Sequence, residues 1–336
     1  MNLKLLPGAP VSPAWRWGRA AALAATGLAA SALLVNHLAR RAEKAHRPIG
    51  QFASVGKMRV HYVDRGSGPP VLVLHGNGGV LEELTSSGLI DHLARTHRVI
   101  ALDRPGFGLS PRPDRGWSPE REARLLLALM HQLGLDRPVI VAHSWATLVA
   151  LNLALEEPDA VSGLVLVAGY YYPTTRGDVA MQRLVAMPVV GDVLRNTIWP
   201  LWARVAAPLA FKRVFSPLAP TKAFLSSYPV AMAVRPSQLR AVADDTVDMP
   251  NAAARLTARY GELQIPVDLI AGADDRMVST ADHSRRLHRE LHNSFVDEVP
   301  GVGHMVHHAH PKLIERRVAH VFQRALKPVS TVEPAT

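Results

Sequence analysis

The stretch VIVAHSWATLVA, residues 139–150, decides the fold of this chain. It follows Pro138 and opens with a β-branched apolar run, which is typical of a fully buried parallel strand. After Ser144 come small and apolar residues at the spacing of a helix that packs against a sheet. The stretch therefore predicts a strand that turns sharply into a helix. Such a corner lifts the serine hydroxyl out of the sheet and points the helix N-terminus at whatever reacts there.

This corner resembles the nucleophile elbow of the α/β-hydrolase superfamily, which has the motif G-x-S-x-G. Ala142 and Ala146 stand where that motif has glycines, which let strand and helix approach closely around a strained serine. Alanine is the smallest replacement, so we expect the corner to form. On this motif alone two interpretations of Ser144 stay open, a nucleophile and an N-cap of the following helix.

Length and composition limit the classes of function. The 336 residues are 48% hydrophobic and 20% charged, which suits one large α/β domain or a domain with an insertion. The chain has no cysteine, which excludes disulfides, thiol catalysis and cysteine-ligated zinc. The net charge is +10, but the arginines are scattered among alanines. Without a dense basic stripe, nucleic acid is not expected as a partner.

The N-terminal segment is apolar and is flanked by positive charge. The run AAALAATGLAASALLV, residues 20–35, carries no charge, and Trp15 and Trp17 precede it as in an interfacial aromatic belt. We expect residues 1–47 to anchor the chain in a membrane by a single pass, such as the bacterial inner membrane. A cleaved signal peptide of a secreted protein and an alanine-rich helix of a cytoplasmic protein stay open as alternatives.

Apolar strand-like runs alternate with helical segments after residue 48, which predicts a mostly parallel sheet flanked by helices. The run VLVL, residues 71–74, ends in the loop HGNGG, residues 75–79. This loop resembles the H-G-x-G oxyanion loop of the superfamily. By that resemblance, the donors to an oxyanion are the backbone N–H groups of Asn77 and of Trp145, the residue after the elbow serine. The segment DRPGFGLS, residues 103–110, resembles a structural turn of the same fold.

Residues 171–260 break this alternation. Nine prolines divide the segment into short apolar pieces, and no strand pattern is visible. It resembles the helical cap that the superfamily inserts over its active site. The expected domains are therefore the N-terminal helix (1–47), an α/β-hydrolase core (48–170 and 261–327), the cap (171–260) and a disordered tail (328–336).

Two further loops resemble those that complete the site of this superfamily. The strand at 267–271 leads into GADDR, where the family's catalytic acid corresponds to Asp275, with Asp274 as the alternative. The last strand, residues 295–299, leads into PGVGH and His304, which resembles the family's histidine loop. Nearby histidines at 307, 308 and 310 invite a metal site, but no carboxylate or cysteine stands near them in the sequence, so no metal is expected.

Serine, acid and histidine in this chain order, each after an apolar strand, form the strongest signal in the sequence. The resemblance implies that His304 takes the proton of Ser144 and that Asp275 orients the imidazole. We expect a cofactor-free serine hydrolase acting on an ester, thioester or related acyl bond of a small, lipophilic substrate. A carbon–carbon bond hydrolase, a cofactor-free peroxidase, an acyltransferase and a non-catalytic binding module stay open. Haloalkane dehalogenase and epoxide hydrolase activities are not expected, because both need an aspartate in place of Ser144.

Overall fold

The computed structural model describes residues 13–113 and 116–326. The predicted disordered tail, 328–336, lies outside the described residues, as do the first twelve residues of the predicted anchor.

One eight-stranded sheet forms the centre of the molecule, with the strand order β1-β2-β4-β3-β5-β6-β7-β8. The strand β2 pairs antiparallel with both of its neighbours, and the remaining pairs are parallel. The strands are β1 (Gln51–Val55), β2 (Met58–Arg65), β3 (Pro70–Leu74), β4 (Arg98–Leu102), β5 (Val139–His143), β6 (Gly163–Val167), β7 (Val267–Gly272) and β8 (Ser294–Val299). The predicted mostly parallel sheet flanked by helices is confirmed.

Helices cover both faces of this sheet, and the strand residues alternate between the two cores. Leu72 and Leu74 of β3 pack with the helix pair α4 and α5, whereas Val71 and Val73 pack with α3 and α14 on the other face. The helices are α1 (Pro13–Ala45), α2 (Leu81–Ser86), α3 (Leu89–Leu93), α4 (Pro119–Leu133), α5 (Ala146–Glu156), α6 (Gly177–Ala186), α7 (Val190–Asn196), α8 (Trp199–Phe215), α9 (Lys222–Ser227), α10 (Val230–Ala233), α11 (Pro236–Thr257), α12 (Arg286–Glu290), α13 (Val306–Ala309) and α14 (Pro311–Ala325).

Six helices, α6 to α11, lie between β6 and β7 in the chain. The helices α8 and α11 contain Pro208 and Pro250 in their interiors, so two of the prolines that obscured the sequence pattern do not end a helix. Side chains of α8 and α11 line the same cavity as Ser144, which lies at the carboxyl end of β5. This helical segment therefore covers the edge of the sheet where parallel strands present their ligands.

The N-terminal helix α1 has an exposed half, residues 18–30, and a half that packs against the rest of the protein, residues 31–45. Among the described residues, one helix is long and apolar enough to cross a membrane, Trp17–Ala45, with a mean hydropathy of 1.5. Residues 18–30 are exposed, whereas Val35 is only 2% exposed and Glu43 forms an ion pair of 2.8 Å with Arg235. The helix thus continues ten residues past the uncharged run, because its last turns pack against the cap.

Candidate active site

The corner between β5 and α5 holds Ser144 in a left-handed backbone conformation, with φ of +54°. This conformation is costly for a residue with a side chain, so it must be imposed by its surroundings. The Ser144 N–H donates to the carbonyl of Val167 on β6 (2.9 Å), and the Ser144 carbonyl accepts from the N–H of Thr147 (3.1 Å). Ala142 and Ala146 are fully buried beside it, so the corner forms with alanine at both positions.

The structure brings Ser144, His304 and Asp275 into direct contact. The Oγ of Ser144 lies 2.9 Å from Nε2 of His304, and Nδ1 of His304 lies 2.7 Å from Oδ2 of Asp275. In this arrangement Nδ1–H donates to the carboxylate, and Nε2 accepts from the hydroxyl. The serine hydroxyl is therefore engaged with an imidazole, whereas an N-cap would accept a backbone N–H, and the structure gives α5 no side-chain cap.

Asp275 is built to remain ionised. Burial acts to raise the pKa of its carboxyl, but the charge and hydrogen bond of His304 and two backbone N–H groups outweigh it, so the pKa is lowered overall. Those N–H groups belong to Met277 (2.7 Å) and Val278 (3.0 Å), and both donate to Oδ1. The neighbouring Asp274 is exposed and accepts the N–H of Gly301 (2.8 Å), so it supports the histidine loop from outside.

The backbone N–H groups of Asn77 and Trp145 have no protein acceptor in the described part of the chain. Both residues are instead fixed through their side chains by the cap helix α11. The Asn77 amide donates to the carbonyl of Val242 (3.1 Å) and to the hydroxyl of Thr246 (2.9 Å), and the Trp145 indole N–H donates to the carbonyl of Asp245 (2.9 Å). One helix thus positions both loops from which these N–H groups come.

A buried ion cluster holds this helix against the core. The Arg104 guanidinium binds Glu122 of α4 (2.6 Å) and Asp245 of α11 (3.0 Å), and all three side chains are fully buried. The same guanidinium lies 4.0 Å from the centre of the Trp145 ring. Burial acts to lower the pKa of Arg104, but its two carboxylate partners raise it overall, so the guanidinium stays charged. Nothing in the spacing of these residues along the chain indicated this cluster.

The cavity in front of Ser144 has a volume of about 380 Å³. Its walls are mainly apolar and come from α8, α9, α11 and the loops that carry the acid and the histidine. The apolar lining includes Phe211, Val214, Phe215, Phe224, Met249, Met277, Val278 and Met305. Tyr228 also lines it and donates to the carbonyl of Gly78 (2.5 Å), whereas Tyr170, Tyr171 and Tyr172 are buried in the core.

Two histidines after His304 bind a carboxylate that is distant from them in the sequence. His307 is buried and His308 nearly so, and both Nε2 atoms donate to Oε1 of Glu83, at 2.9 Å for His308. A carboxylate from α2 thus completes a group that could hold a metal, although none stands near it in the sequence. In this structure the three side chains are hydrogen-bonded to one another.

His143, the residue before the elbow serine, supports the histidine loop. Its Nε2–H donates to the backbone carbonyl of His304 (3.1 Å). Burial, together with the charges of His307 and His304, lowers the pKa of His143 well below its usual value. The ring is therefore neutral and adds no charge beside the site.

Comparisons with known proteins agree with this architecture. The profile of the alpha/beta hydrolase fold family matches residues 69–311. "Haloalkane dehalogenase 2" of Mycobacterium tuberculosis (strain ATCC 25618 / H37Rv) is 35% identical over 134 residues, 39% of this chain and 46% of that protein. "Uncharacterized protein Rv2715" of the same strain is 28% identical over 299 residues, 86% of this chain and 83% of that protein. The chain thus spans less than half the length of the first curated relatives that it matches.

Solved structures show the same fold. A thermophilic esterase from Thermogutta terrifontis, in a malate-bound structure, has a TM-score of 0.66 and 20% sequence identity. The alignment covers 83% of this chain and all of the esterase chain. At this identity the likeness concerns the fold alone.

Proposed function

Because this chain belongs to the α/β-hydrolase fold family, we propose that it is a serine hydrolase that cleaves an ester, thioester or related acyl bond. The observation that carries the proposal is the 2.9 Å contact between Ser144 Oγ and His304 Nε2 in an apolar cavity, with Asp275 on the other side of the imidazole. A serine hydroxyl is a poor nucleophile until a base takes its proton, and this geometry supplies the base.

In the proposed reaction, His304 Nε2 takes the hydroxyl proton as Ser144 Oγ attacks the acyl carbon. The imidazolium that forms is stabilised by the carboxylate of Asp275, which also fixes the Nδ1–H tautomer. The N–H groups of Asn77 and Trp145 are the proposed donors to the oxyanion. His304 then returns its proton to the leaving group as the acyl bond breaks. Water next attacks the acyl group on Ser144 while His304 takes a proton from the water. His304 finally returns this proton to Ser144 Oγ as the acyl group leaves as the acid.

The cavity supports a small substrate with an apolar acyl part. Its volume of about 380 Å³ lies at the lower end of the range of about 300–1,000 Å³ that is common for ligand pockets. Three side chains of α8, Phe211, Val214 and Phe215, offer apolar contact close to Ser144. Among the described residues other than histidine, the charged side chains that line the cavity are Arg176, Asp178 and Glu83. Arg176 is paired with Asp178 at 2.7 Å.

The reaction named for the haloalkane dehalogenase relative is not transferred to this chain. That chemistry needs an aspartate at the elbow, and this chain has Ser144 there. Ester and thioester cleavage uses the serine that is present.

The experiment that tests the proposal is labelling of the purified full chain with a fluorophosphonate probe, which reacts with activated serines. We expect labelling of the wild type and of Ser226→Ala, a control that removes an exposed serine of α9. Labelling should be lost in Ser144→Ala and strongly reduced in His304→Ala. A folded wild type that takes no label would overturn the proposal and favour a non-catalytic binding module of the same fold.

We further propose that the exposed half of α1 anchors the chain in a membrane. The support is its exposure from residue 18 to 30 and the absence of charge from residue 20 to 35. Trp17, 76% exposed, stands at the start of this half, where an interfacial aromatic side chain is expected. Recovery of the full chain in the soluble fraction at both low and high salt would contradict the anchor.

A further inference from the structure

Exposed apolar side chains are concentrated on the outer surface of the cap. Of the twenty large apolar side chains that are exposed in the described part of the chain, ten lie between Met181 and Leu209. Val189, Val205 and Leu209 are 72%, 83% and 72% exposed. We define the ten side chains between Met181 and Leu209, on α6, α7, α8 and their connections, as the α6–α8 face. A concentration of exposed apolar side chains on helices that pack against one another marks an interaction site more often than scattered single residues do.

The helix α8 shows that this face has a direction. Ile198, Trp202, Val205 and Leu209 follow one another at spacings of four, three and four residues, so they form one stripe along the helix. Further along the helix, Phe211 and Val214 line the cavity in front of Ser144. The helix is thus apolar both toward the active site and toward the outside, which is unlike a helix that faces water.

The exposed half of α1 extends from the protein at this same face. The hydroxyl of Ser31 donates to the carbonyl of Thr197 (3.0 Å), the residue just before Ile198. From Ser31 back to Trp17 the helix extends for about 20 Å at 1.5 Å per residue, and residues 18–30 are exposed. A bilayer that takes up this half of α1 therefore meets the start of α8.

The charges around the face favour an anionic surface. Arg183, Arg204, Lys212 and Arg213 are exposed within or beside the face. The one acidic residue between positions 181 and 213 is Asp192, which is paired with Arg195. Basic side chains around an apolar face that contains a tryptophan are typical of helices lying in a membrane interface. The core of an interface between two copies of a protein is usually depleted of charge.

We propose that the α6–α8 face docks on the surface of an anionic phospholipid bilayer, beside the membrane-embedded half of α1. This deepens the proposed function and rests on it in one respect, namely that α1 enters the membrane. Docking places the outer side of α8 against lipid while Phe211 and Val214 on the same helix line the cavity. In this arrangement an acyl substrate dissolved in the bilayer reaches Ser144 through the cap rather than through water.

The absence of cysteine from the natural chain makes a site-specific test direct. Single-cysteine variants of the full chain, Val205→Cys, Leu23→Cys and Glu157→Cys, are labelled with the environment-sensitive fluorophore NBD. They are reconstituted in vesicles of phosphatidylcholine and phosphatidylglycerol, with and without lipids that carry a nitroxide quencher on the acyl chain. Leu23 reports on the anchor, Val205 on the α6–α8 face, and Glu157 on the exposed C-terminal end of α5.

In vesicles, we expect the emission of the labels at positions 23 and 205 to shift to the blue, and nitroxide lipids to quench it. The label at position 157 should show neither the shift nor the quenching. If position 23 is quenched while position 205 behaves like 157, docking is overturned and the anchor remains. If neither is quenched, the anchor fails as well. Protection of position 205 from aqueous iodide without quenching by lipid would indicate a second copy on the face and would also overturn the proposal.

The charge component has its own variant. In Arg204→Gln/Lys212→Gln/Arg213→Gln, quenching at position 205 should fall in vesicles that contain phosphatidylglycerol, while quenching at position 23 stays unchanged. Equal quenching at position 205 in this variant and in its parent would overturn the role of anionic headgroups.

Discussion

At the scale of single residues, Ser144 illustrates how the surroundings impose a local conformation. Its φ of +54° is unfavourable for a residue with a side chain, yet β6 and the first turn of α5 bind its N–H and its carbonyl. The corner forms with buried alanines at positions 142 and 146, and the hydrogen bonds of Ser144 hold its own backbone there. This explains why an elbow with two alanines still presents its serine to His304.

The pair Asp274 and Asp275 allows a matched test of the proposed acid. We expect Asp275→Asn to lower kcat by roughly 10⁴-fold, because an amide favours the wrong tautomer of His304. Asp274→Asn should stay within a few-fold of the wild type, since an amide oxygen still accepts the N–H of Gly301. Steady-state hydrolysis of an ester that the wild type cleaves is the measurement, and equal losses in the two variants would contradict the assignment.

His283 predicts part of the acid sensitivity of the fold. Burial lowers its pKa from 6.5 to about 4, and its Nδ1 accepts the N–H of Tyr171 (3.0 Å). The unfolded chain gains a proton at His283 as the pH falls below about 6.5, whereas the folded chain gains it only near 4. The free energy of unfolding should therefore drop by about 3 kcal/mol through this residue over that interval.

In His283→Asn the amide oxygen still accepts the N–H of Tyr171 but does not titrate. Its free energy of unfolding, measured by urea titration, should fall less between pH 6.5 and 4 than that of the wild type, by about 3 kcal/mol. His292→Asn, a change of an exposed histidine, is the matched control. An unchanged pH dependence in His283→Asn would exclude this residue as its source.

Sequence reasoning at the residue scale reached those residues whose loops carry a recognisable pattern. The order of Ser144, Asp275 and His304 after apolar strands was sufficient to predict that they meet, and their side chains are in contact, while their roles stay proposals. Glu83 could not be found in this way. It reaches His307 from a helix more than two hundred residues earlier in the chain, and its local sequence is that of any amphipathic turn.

At the scale of elements, α11 connects the cap to both loops that flank Ser144. It binds Asn77 of one loop and Trp145 of the other, and Asp245 joins it to Arg104 in the core. The strands could be predicted because buried parallel strands are continuous apolar runs. The arrangement of the cap could not be predicted, because its helices contain prolines and because hydrogen bonds and ion pairs between distant segments join it to the core.

Removal of one partner of the buried cluster should reveal how strongly it holds the cap. We expect Asp245→Ala to lower the free energy of unfolding by about 3–5 kcal/mol, because it leaves the buried charge of Arg104 with one partner fewer. The adjacent change Asp244→Ala should cost less than about 1 kcal/mol, since Asp244 is partly exposed and lies 3.7 Å from Arg240. Urea unfolding of both variants is the measurement, and similar effects would contradict the role of the cluster.

At the scale of the whole molecule, the cap is apolar on two sides. Its inner side closes an apolar cavity over Ser144, and its outer side carries the α6–α8 face next to the exposed half of α1. The sequence predicted an apolar N-terminal helix, but it could not predict that residues 31–45 pack on the cap, because the charges of that half lie on its exposed side while Val35 and Ala42 are buried. If α1 enters a bilayer as proposed, its position relative to the cap defines the orientation of the molecule at the membrane.

This orientation makes activity depend on where the substrate is dissolved. In Val205→Glu/Leu209→Glu, we expect kcat/KM for a long-chain ester carried in anionic vesicles to fall at least about tenfold, because two apolar side chains no longer enter the lipid. Hydrolysis of a short, water-soluble ester should be unchanged, since neither side chain lines the cavity. Leu326→Glu, a change of a similarly exposed leucine at the end of α14, should affect neither substrate. If kcat/KM falls equally for both esters, the double change damages the cap itself. If the variant hydrolyses both esters as fast as the wild type, the substrate does not reach Ser144 through the membrane.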